Sequence, residues 1–201
     1  MIPASTPDTP RFRGGAGRLC LDLLRTLRRR GTAHAADELD TPEALRAWVA
    51  QFGPYPDGAA VPAPSDAVLR RARDVREAVH ALLAAARDAG GPAACPPAVR
   101  EVLNRAAAAR TPVPALDGAG TVAYGAADPV GAVLSEVARD ALDLAASPAL
   151  GRVRPCADPD CAAWFLDTSR PGSRRWCAMG TCGNRSKKAT WRAGHGPGPA
   201  A

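Results

Sequence analysis

Two pairs of cysteines near the C-terminus constrain this chain more than any other feature. Cys156 and Cys161 form a C-x4-C pair, and Cys177 and Cys182 form a second pair with the same spacing. Two such turns can bring four thiolates to the corners of a tetrahedron, which is the arrangement that a structural zinc ion requires. Residues 151–193 are therefore predicted to form a small zinc module, which is too short to fold without its metal.

The four cysteines could instead be unrelated free thiols, or they could form disulfides. Paired cysteines in cytosolic proteins ligate metals more often than they form disulfides. A catalytic zinc would need an open coordination position, and no histidine lies between the two pairs. His34, His80 and His195 fit no metal-binding or catalytic motif, so we predict no catalytic site and no enzyme activity. Cys20 and Cys95 are expected to be small buried residues.

The positive charge of the chain is concentrated in the zinc module. From residue 152 onward there are nine Lys or Arg and three Asp, whereas residues 1–151 hold 17 basic and 17 acidic groups. The C-terminal part therefore carries a net charge of +6 and the rest carries none. A zinc tetrathiolate contributes about −2 and leaves about +4. Such an asymmetry indicates a localised surface that binds a polyanion.

The first 150 residues have the pattern of a helical bundle. Much of their apolar content is alanine, which favours closely packed helices. Capping residues and apolar spacing together predict the following elements: a helix from Gly17 to the arginine run Arg28–Arg30, helices starting at Thr41, Ser65, Pro97 and Asp128, and a hairpin around Asp117 and Gly118. Trp48 is expected to be a core anchor.

The predicted fold is therefore mainly α. A helical domain occupies residues 14–150, between a disordered lead at 1–13 and the zinc module at 151–193, and residues 194–201 form a disordered tail. The zinc module is expected to contain short β-strands and one short helix. No apolar run approaches the roughly 18 residues needed to span a bilayer, and no secretory signal is visible. We expect a cytoplasmic protein without membrane association.

A short basic helix is predicted after the last cysteine. With a step of about 100° per residue, Arg185, Lys188 and Arg192 fall on one face. Lys187 and Trp191 point the other way, and Trp191 is expected to pack on the zinc module. One face could thus contact phosphates, although a merely solvated basic face fits the same pattern.

A second basic site precedes Cys177. Arg174 and Arg175 could bind phosphates or guanine edges, or one of them could bridge Asp167 or a backbone carbonyl instead. Asn184 is a suitable N-cap for the basic helix. Three aromatic residues are expected to form the hydrophobic core of the zinc module: Trp164, Phe165 and Trp176.

These residues resemble the CGNR zinc-finger family. The matching motifs are Cys156-x4-Cys161, Phe165-Leu166-Asp167-Thr168-Ser169, Arg174-Arg175-Trp176-Cys177, Met179 and Cys182-Gly183-Asn184-Arg185. They cover nearly all of residues 154–192. The resemblance implies that the four cysteines are zinc ligands and that the basic residues of the finger bind DNA.

The helical domain is similar, more loosely, to the ABATE domain that usually precedes this finger. The similarity rests on Leu19-Cys20-Leu21-Asp22-Leu23, Thr26, Thr41-Pro42-Glu43-Ala44-Leu45 and Trp48. Together the two families imply a bacterial stress-induced transcription regulator with a helical N-terminal domain. This chain departs from the family at one position, since Arg25 stands where the family usually has Asn before Thr26. Any role of that Asn in a turn or a ligand contact would be altered here.

The favoured function is DNA-binding transcription regulation. One structural Zn²⁺ would hold the module against double-stranded DNA through six candidate residues: Arg174, Arg175, Arg185, Lys187, Lys188 and Arg192. The helical domain would form a homodimer, sense a small-molecule effector, or do both. The alternative is a zinc-stabilised module that binds a protein or RNA without sequence-specific DNA recognition. A redox switch that releases zinc when the thiolates are oxidised is a third hypothesis.

Overall fold

The structure is a computed structural model that describes residues 11–56 and 61–194. Most of the lead predicted at 1–13 and most of the tail predicted at 194–201 lie outside the described residues.

Helices dominate the regular structure of the described ranges, and the mainly α fold predicted from the sequence is confirmed. The helices are α1 (Leu19–Leu24), α2 (Pro42–Phe52), α3 (Asp66–Asp88), α4 (Pro97–Ala107), α5 (Pro129–Ala146) and α6 (Asn184–Gly194). Three antiparallel strand pairs join them: β1 (Leu27–Arg28) with β2 (Ala36–Asp37), β3 (Val113–Leu116) with β4 (Val122–Gly125), and β5 (Val153–Pro155) with β6 (Trp164–Leu166). Among residues 11–56 and 61–194, no helix combines the length and the apolar character needed to cross a membrane.

Three of the four predicted helix starts are confirmed by capping hydrogen bonds, and the fourth, at Pro97, is confirmed without a side-chain cap. Thr41 Oγ1 accepts a bond from the N–H of Ala44 at 3.1 Å, and Asp128 Oδ1 accepts one from Gly131 at 2.9 Å. The hydroxyl of Ser65 caps α3 in the same way. Each cap satisfies an N–H group that the first helical turn leaves unpaired, which is why these starts can be read from local sequence.

The first helix ends earlier than the sequence predicts. α1 ends at Leu24 and does not reach the arginine run Arg28–Arg30. Thr26 Oγ1 donates to the Leu23 carbonyl at 2.7 Å, and the Thr26 carbonyl accepts a bond from the N–H of Glu38 at 2.8 Å. These two bonds turn the chain into the β1–β2 hairpin. The arginine run therefore lies on a hairpin. Its positive charges are not at the C-terminus of a helix, where they would interact favourably with the helix dipole.

The core of the helical domain is built around α5, which packs against α1, α3 and α4. Its apolar stripe is buried over its full length, as the spacing predicts. α2 contributes Trp48, which is fully buried and stacks on Phe52 with 5.1 Å between ring centroids. The prediction that Trp48 is a core anchor is confirmed.

The zinc module packs directly on the helical domain. Phe165 is fully buried and belongs to the same cluster of apolar side chains as the helices. The N–H of Leu166 donates to the carbonyl of Ala16 at 2.8 Å, just before α1. On α3, the Arg87 guanidinium lies 4.4 Å from the ring centroid of Trp164. Contacts with the segment before α1 and with α3 therefore fix how the module is oriented on the domain.

Loss of the Phe165 ring should destabilise the whole chain, since the ring fills the junction between the two parts. We expect Phe165→Ala to lower the free energy of unfolding by about 3–5 kcal/mol, as is typical of an aromatic side chain lost from a core. Chemical denaturation of the zinc-loaded protein measures this value. The control Glu101→Ala removes an exposed side chain of α4 and should cost less than about 0.5 kcal/mol. A loss below about 1 kcal/mol for Phe165→Ala would contradict a shared core.

Candidate metal centre and basic surface

The first cysteine pair lies on the loop between β5 and β6. Cys156 directly follows β5, and its N–H donates to the carbonyl of Ala163 at 2.8 Å. Within the loop, the N–H of Cys161 donates to the Asp158 carbonyl at 3.0 Å, and an Asp158 carboxylate oxygen accepts from the N–H of Asp160 at 3.1 Å. These bonds hold the four intervening residues in a tight turn that brings the two cysteines together.

The second pair is joined to the first by a backbone contact. The N–H of Cys177 donates to the Sγ of Cys156 at 3.4 Å. Cys182 lies on a wide helical turn, Met179–Gly183, which runs without a break into α6. Gly183 suits this position, because a Cβ there would lie only 3.0 Å from the sulfur of the Met179 side chain. The short basic helix predicted after the last cysteine is confirmed.

Asn184 does not cap α6 as the sequence analysis predicts. Its backbone is already helical, with φ −68°. Its side-chain amide donates to the carbonyl of Gly180 at 3.1 Å, one turn earlier. The zinc-binding turn and the basic helix are therefore one continuous element, so a metal held by Cys182 also fixes the direction of α6.

The four sulfurs form a compact, buried cluster that fits one zinc ion. All four Sγ atoms lie within 4.8 Å of one another, and the Sγ of Cys177 lies 3.5 Å from that of Cys161 and 3.7 Å from that of Cys182. A tetrahedral Zn²⁺ with bonds of about 2.3 Å places its sulfurs about 3.8 Å apart. Disulfide sulfurs would lie about 2.05 Å apart. Four protein ligands complete the tetrahedron, so the site is structural.

The pKa values of the clustered thiols diverge. A hydrogen bond from the Cys177 thiol lowers the pKa of Cys161 to about 5. The pKa of Cys177 is raised because its thiol is the donor in that bond, and burial raises the pKa of Cys182 to about 11. The Cys161 thiolate thus forms readily, whereas ionisation of Cys177 and Cys182 needs a cation. Zinc supplies that charge when it binds and displaces the remaining protons.

Arg25 reaches from the helical domain into the metal centre. One guanidinium nitrogen, Nη2, lies 3.9 Å from the Sγ of Cys177, and Nη1 donates to the carbonyl of Gly14 at 2.7 Å. Asp22 lies 3.9 Å from the same Nη1 atom, and Arg25 is only 4% exposed. The guanidinium favours the ionised form of Cys177 and lies beside a cluster that carries about −2 when zinc is bound. The departure from the family at Arg25 is visible in the sequence, but the contact joins residues 152 positions apart and leaves no local signal.

Arg174 holds the loop that carries Cys177. Its Nε donates to the carbonyl of Trp176 at 2.9 Å, and its Nη2 donates to the carbonyl of Cys177. The guanidinium also lies 4.6 Å from the ring centroid of Phe165. Bridging of backbone carbonyls is one of the two roles that the sequence leaves open for the Arg174–Arg175 pair. Arg175, in contrast, is exposed and contacts the ring of Trp176, at 5.0 Å from its centroid.

One face of α6 presents three cations to a groove, as the helical spacing predicts. This first groove is lined by Arg185, Lys188 and Arg192. The Nη1 of Arg185 also lies 3.1 Å from an oxygen of Asp158 in the cysteine loop. Because Asp158 is only 5% exposed, Arg185 compensates a buried carboxylate while half of its own side chain stays accessible. The ion pair therefore anchors one end of the basic face.

A second groove, on the other side of α6, combines cations with tryptophan rings. Lys187 and Trp191 line it together with Arg175 and Trp176. Trp191 is 64% exposed, so it lies beside Trp176 in this groove but is not buried against the zinc module. Phe165 and the half-buried Trp176 belong to the apolar core instead. The second groove thus offers aromatic surface next to positive charge.

Arg25 should strengthen zinc binding through its charge. We expect Arg25→Met, which keeps a long apolar side chain, to weaken zinc affinity about 10-fold or more, in the range typical of partners of metal ligands. Competition with a chromophoric chelator measures this affinity. The control Arg170→Met removes an exposed arginine of the same module and should leave it unchanged. Equal zinc affinity in the two variants would show that Arg25 serves packing alone.

The comparisons with known families agree with this arrangement. Residues 17–148 match the ABATE family, whose description is "Putative stress-induced transcription regulator", and residues 152–195 match the CGNR zinc finger. Neither is an enzyme family, and no curated protein matches the chain. Both resemblances inferred from the sequence are confirmed, in the expected order along the chain. The chain therefore belongs to the ABATE family and carries a CGNR zinc finger that fits one structural zinc ion.

Proposed function

We propose that this chain is a cytoplasmic, stress-responsive transcription regulator that binds double-stranded DNA through its zinc module. The observation that carries the proposal is the first groove, in which Arg185, Lys188 and Arg192 lie on a helix that is continuous with a zinc-binding turn. A helix fixed in this way can present cations to phosphates with little loss of conformational freedom on binding. Its family description supports a regulatory role.

Five of the six candidate residues are available for contacts with DNA. Arg185, Lys188 and Arg192 would contact phosphates from the first groove. Lys187 and Arg175, both exposed, would contact the backbone or base edges from the second. Arg174 would act as a positioning residue, since its guanidinium is bonded to carbonyls of the cysteine loop.

Specific recognition by so small a finger favours a dimer. A module with four to six phosphate contacts would give a slope of log affinity against log salt of about −4 to −5. Two fingers on one duplex would double the contacts and read a two-fold symmetric site. The β3–β4 hairpin supports the proposal, because it exposes Val113, Leu116 and Val122 by 55–71%. A homodimer would cover these side chains.

A cavity among α3, α4 and α5 supports a small-molecule effector. It measures about 160 Å³, and apolar side chains of Val75, Val102 and Leu134 line it. Two arginines and two aspartates also line it, so its charges balance and a small amphipathic molecule would suit it best: Arg71, Arg105, Asp74 and Asp128. An effector bound here would contact the same helix, α5, that organises the core of the domain.

Removal of two cations from the first groove tests DNA binding. We expect Lys188→Gln with Arg192→Gln to flatten the salt slope by about 2, at about 0.9 per lost contact. Binding of the zinc-loaded chain to a randomised duplex pool at several salt concentrations, followed by sequencing, gives both the slope and any enriched motif. The control pair Arg46→Gln and Arg100→Gln removes the same charge from exposed positions on α2 and α4. Failure of the unaltered chain to retain any duplex at low salt would refute the proposal.

The second groove favours one alternative, recognition of single-stranded nucleic acid. An exposed tryptophan beside Lys187 and Arg175 has the chemistry of a base-stacking platform. Preference for a single-stranded RNA pool over the duplex pool, abolished by Trp191→Ala, would support this second function and count against the first.

A further inference from the structure

We infer that a second phosphate-binding site lies where the β1–β2 hairpin meets the zinc module. The cleft at this junction, the arginine cleft, is lined by Arg13, Arg28, Arg29, His34, Asp160, Arg185 and the zinc ligand Cys161. Its ligand is a phosphate group, and the source favoured by the structure is the DNA backbone. The inference rests on the proposed function and extends the DNA-binding surface from the zinc module to the N-terminal part of the chain.

Two of the lining arginines are engaged with acids of the protein. Arg28 pairs with Glu38 at 2.9 Å, and Arg185 pairs with Asp158 at 3.1 Å. These pairs orient the two guanidinium groups but use only some of their hydrogen-bond donors, since each guanidinium carries five N–H groups. Both arginines can therefore still donate to an incoming oxyanion.

The other two arginines supply charge that nearby acids do not balance. Within residues 11–56 and 61–194, neither Arg13 nor Arg29 takes part in an ion pair. Asp160 contributes the carboxylate among the lining residues and offsets one of these charges. Among the lining side chains, four guanidinium groups face one carboxylate and the zinc-bound thiolate of Cys161, so the lining keeps an excess of positive charge, which suits a singly charged phosphodiester.

The backbone of the hairpin fixes the position of Arg29. Its φ is 52°, in the left-handed region, and its carbonyl accepts bonds from the N–H and the hydroxyl of Thr32 at 3.1 and 2.9 Å. The side chain of Arg29 is exposed, and these bonds hold its cation at a fixed backbone position. A phosphate contact made from such a position loses little conformational entropy on binding.

Continuity with the first groove is the reason to favour DNA over a free phosphate compound. Arg185 lines both the arginine cleft and the first groove. From Arg185 to Arg192, α6 extends about 10 Å, so the combined surface is longer than one nucleotide phosphate needs. A nucleic-acid strand carries a phosphate at every nucleotide and can occupy such a surface from end to end. A small phosphate compound would use the cleft alone.

The salt dependence of duplex binding tests the arginine cleft. We expect Arg13→Gln with Arg29→Gln to flatten the slope by about 2 relative to the unaltered chain. The control pair Arg46→Gln and Arg100→Gln should leave the slope unchanged, because those residues line neither groove nor the cleft. Zinc content and the melting temperature are measured for each variant. Where Arg29→Gln impairs folding, Arg13→Gln alone, outside the hairpin, should flatten the slope by about 1.

The outcomes separate this inference from the proposed function. Equal slopes for the cleft pair and the control pair, with normal duplex binding by the unaltered chain, would overturn the cleft and leave the function intact. If the unaltered chain binds no duplex, the proposed function fails, and titration with inorganic pyrophosphate decides the cleft. Pyrophosphate binding that is lost in the cleft pair and kept in the control pair would assign the site to a free phosphate compound. Absence of pyrophosphate binding would overturn the inference as well.

Discussion

The sharing of one divalent cation by four thiolates is the interaction on which the C-terminal quarter of this structure depends. Its strands β5 and β6 have three residues each, and its remaining contacts involve few aromatic side chains. Binding of a structural zinc supplies about 10–16 kcal/mol, comparable to the about 5–15 kcal/mol by which whole domains are stable. Because Cys182 lies on the turn that continues into α6, the metal also fixes the direction of the basic helix.

The metal centre is not isolated from the rest of the fold. Arg25 from the helical domain contacts the Sγ of Cys177, and Arg174 connects the loop of that cysteine to the buried ring of Phe165. A charge contact and an apolar contact thus converge on the same short loop. The consequence for function is geometric: the cations of α6 are held at a defined place relative to the β1–β2 hairpin, so both can face one ligand.

Prediction from sequence succeeds where the signal is local and fails where it depends on distant contacts. The caps at Thr41 and Asp128 act within three residues, and the cysteine spacing encodes the ligand set directly. The early end of α1 depends on the pairing of Thr26 with a later strand, and an arginine run alone cannot signal it. The contact of Arg25 with Cys177 is equally out of reach, because charged side chains are assigned to the surface unless a buried partner is known. For Arg174, the sequence includes the bridging of backbone carbonyls among its alternatives but does not decide between them. For Trp191, amphipathic spacing identifies the side of the helix but does not show whether the module has room to bury a ring.

The central claim is that the metal centre and the helical core form one cooperative unit. The most direct test is to compare amide hydrogen exchange in the zinc-loaded chain and in the chelator-treated chain. The account predicts that zinc removal lowers protection at the amides of Phe165 and Cys182 and also at those of Arg25 and Glu38, which are bonded within the helical domain. The amide of Leu103 on α4 should change least, since α4 packs on α3 and α5. Loss of protection confined to residues 152–194, with Arg25 and Glu38 unaffected, would contradict the claim.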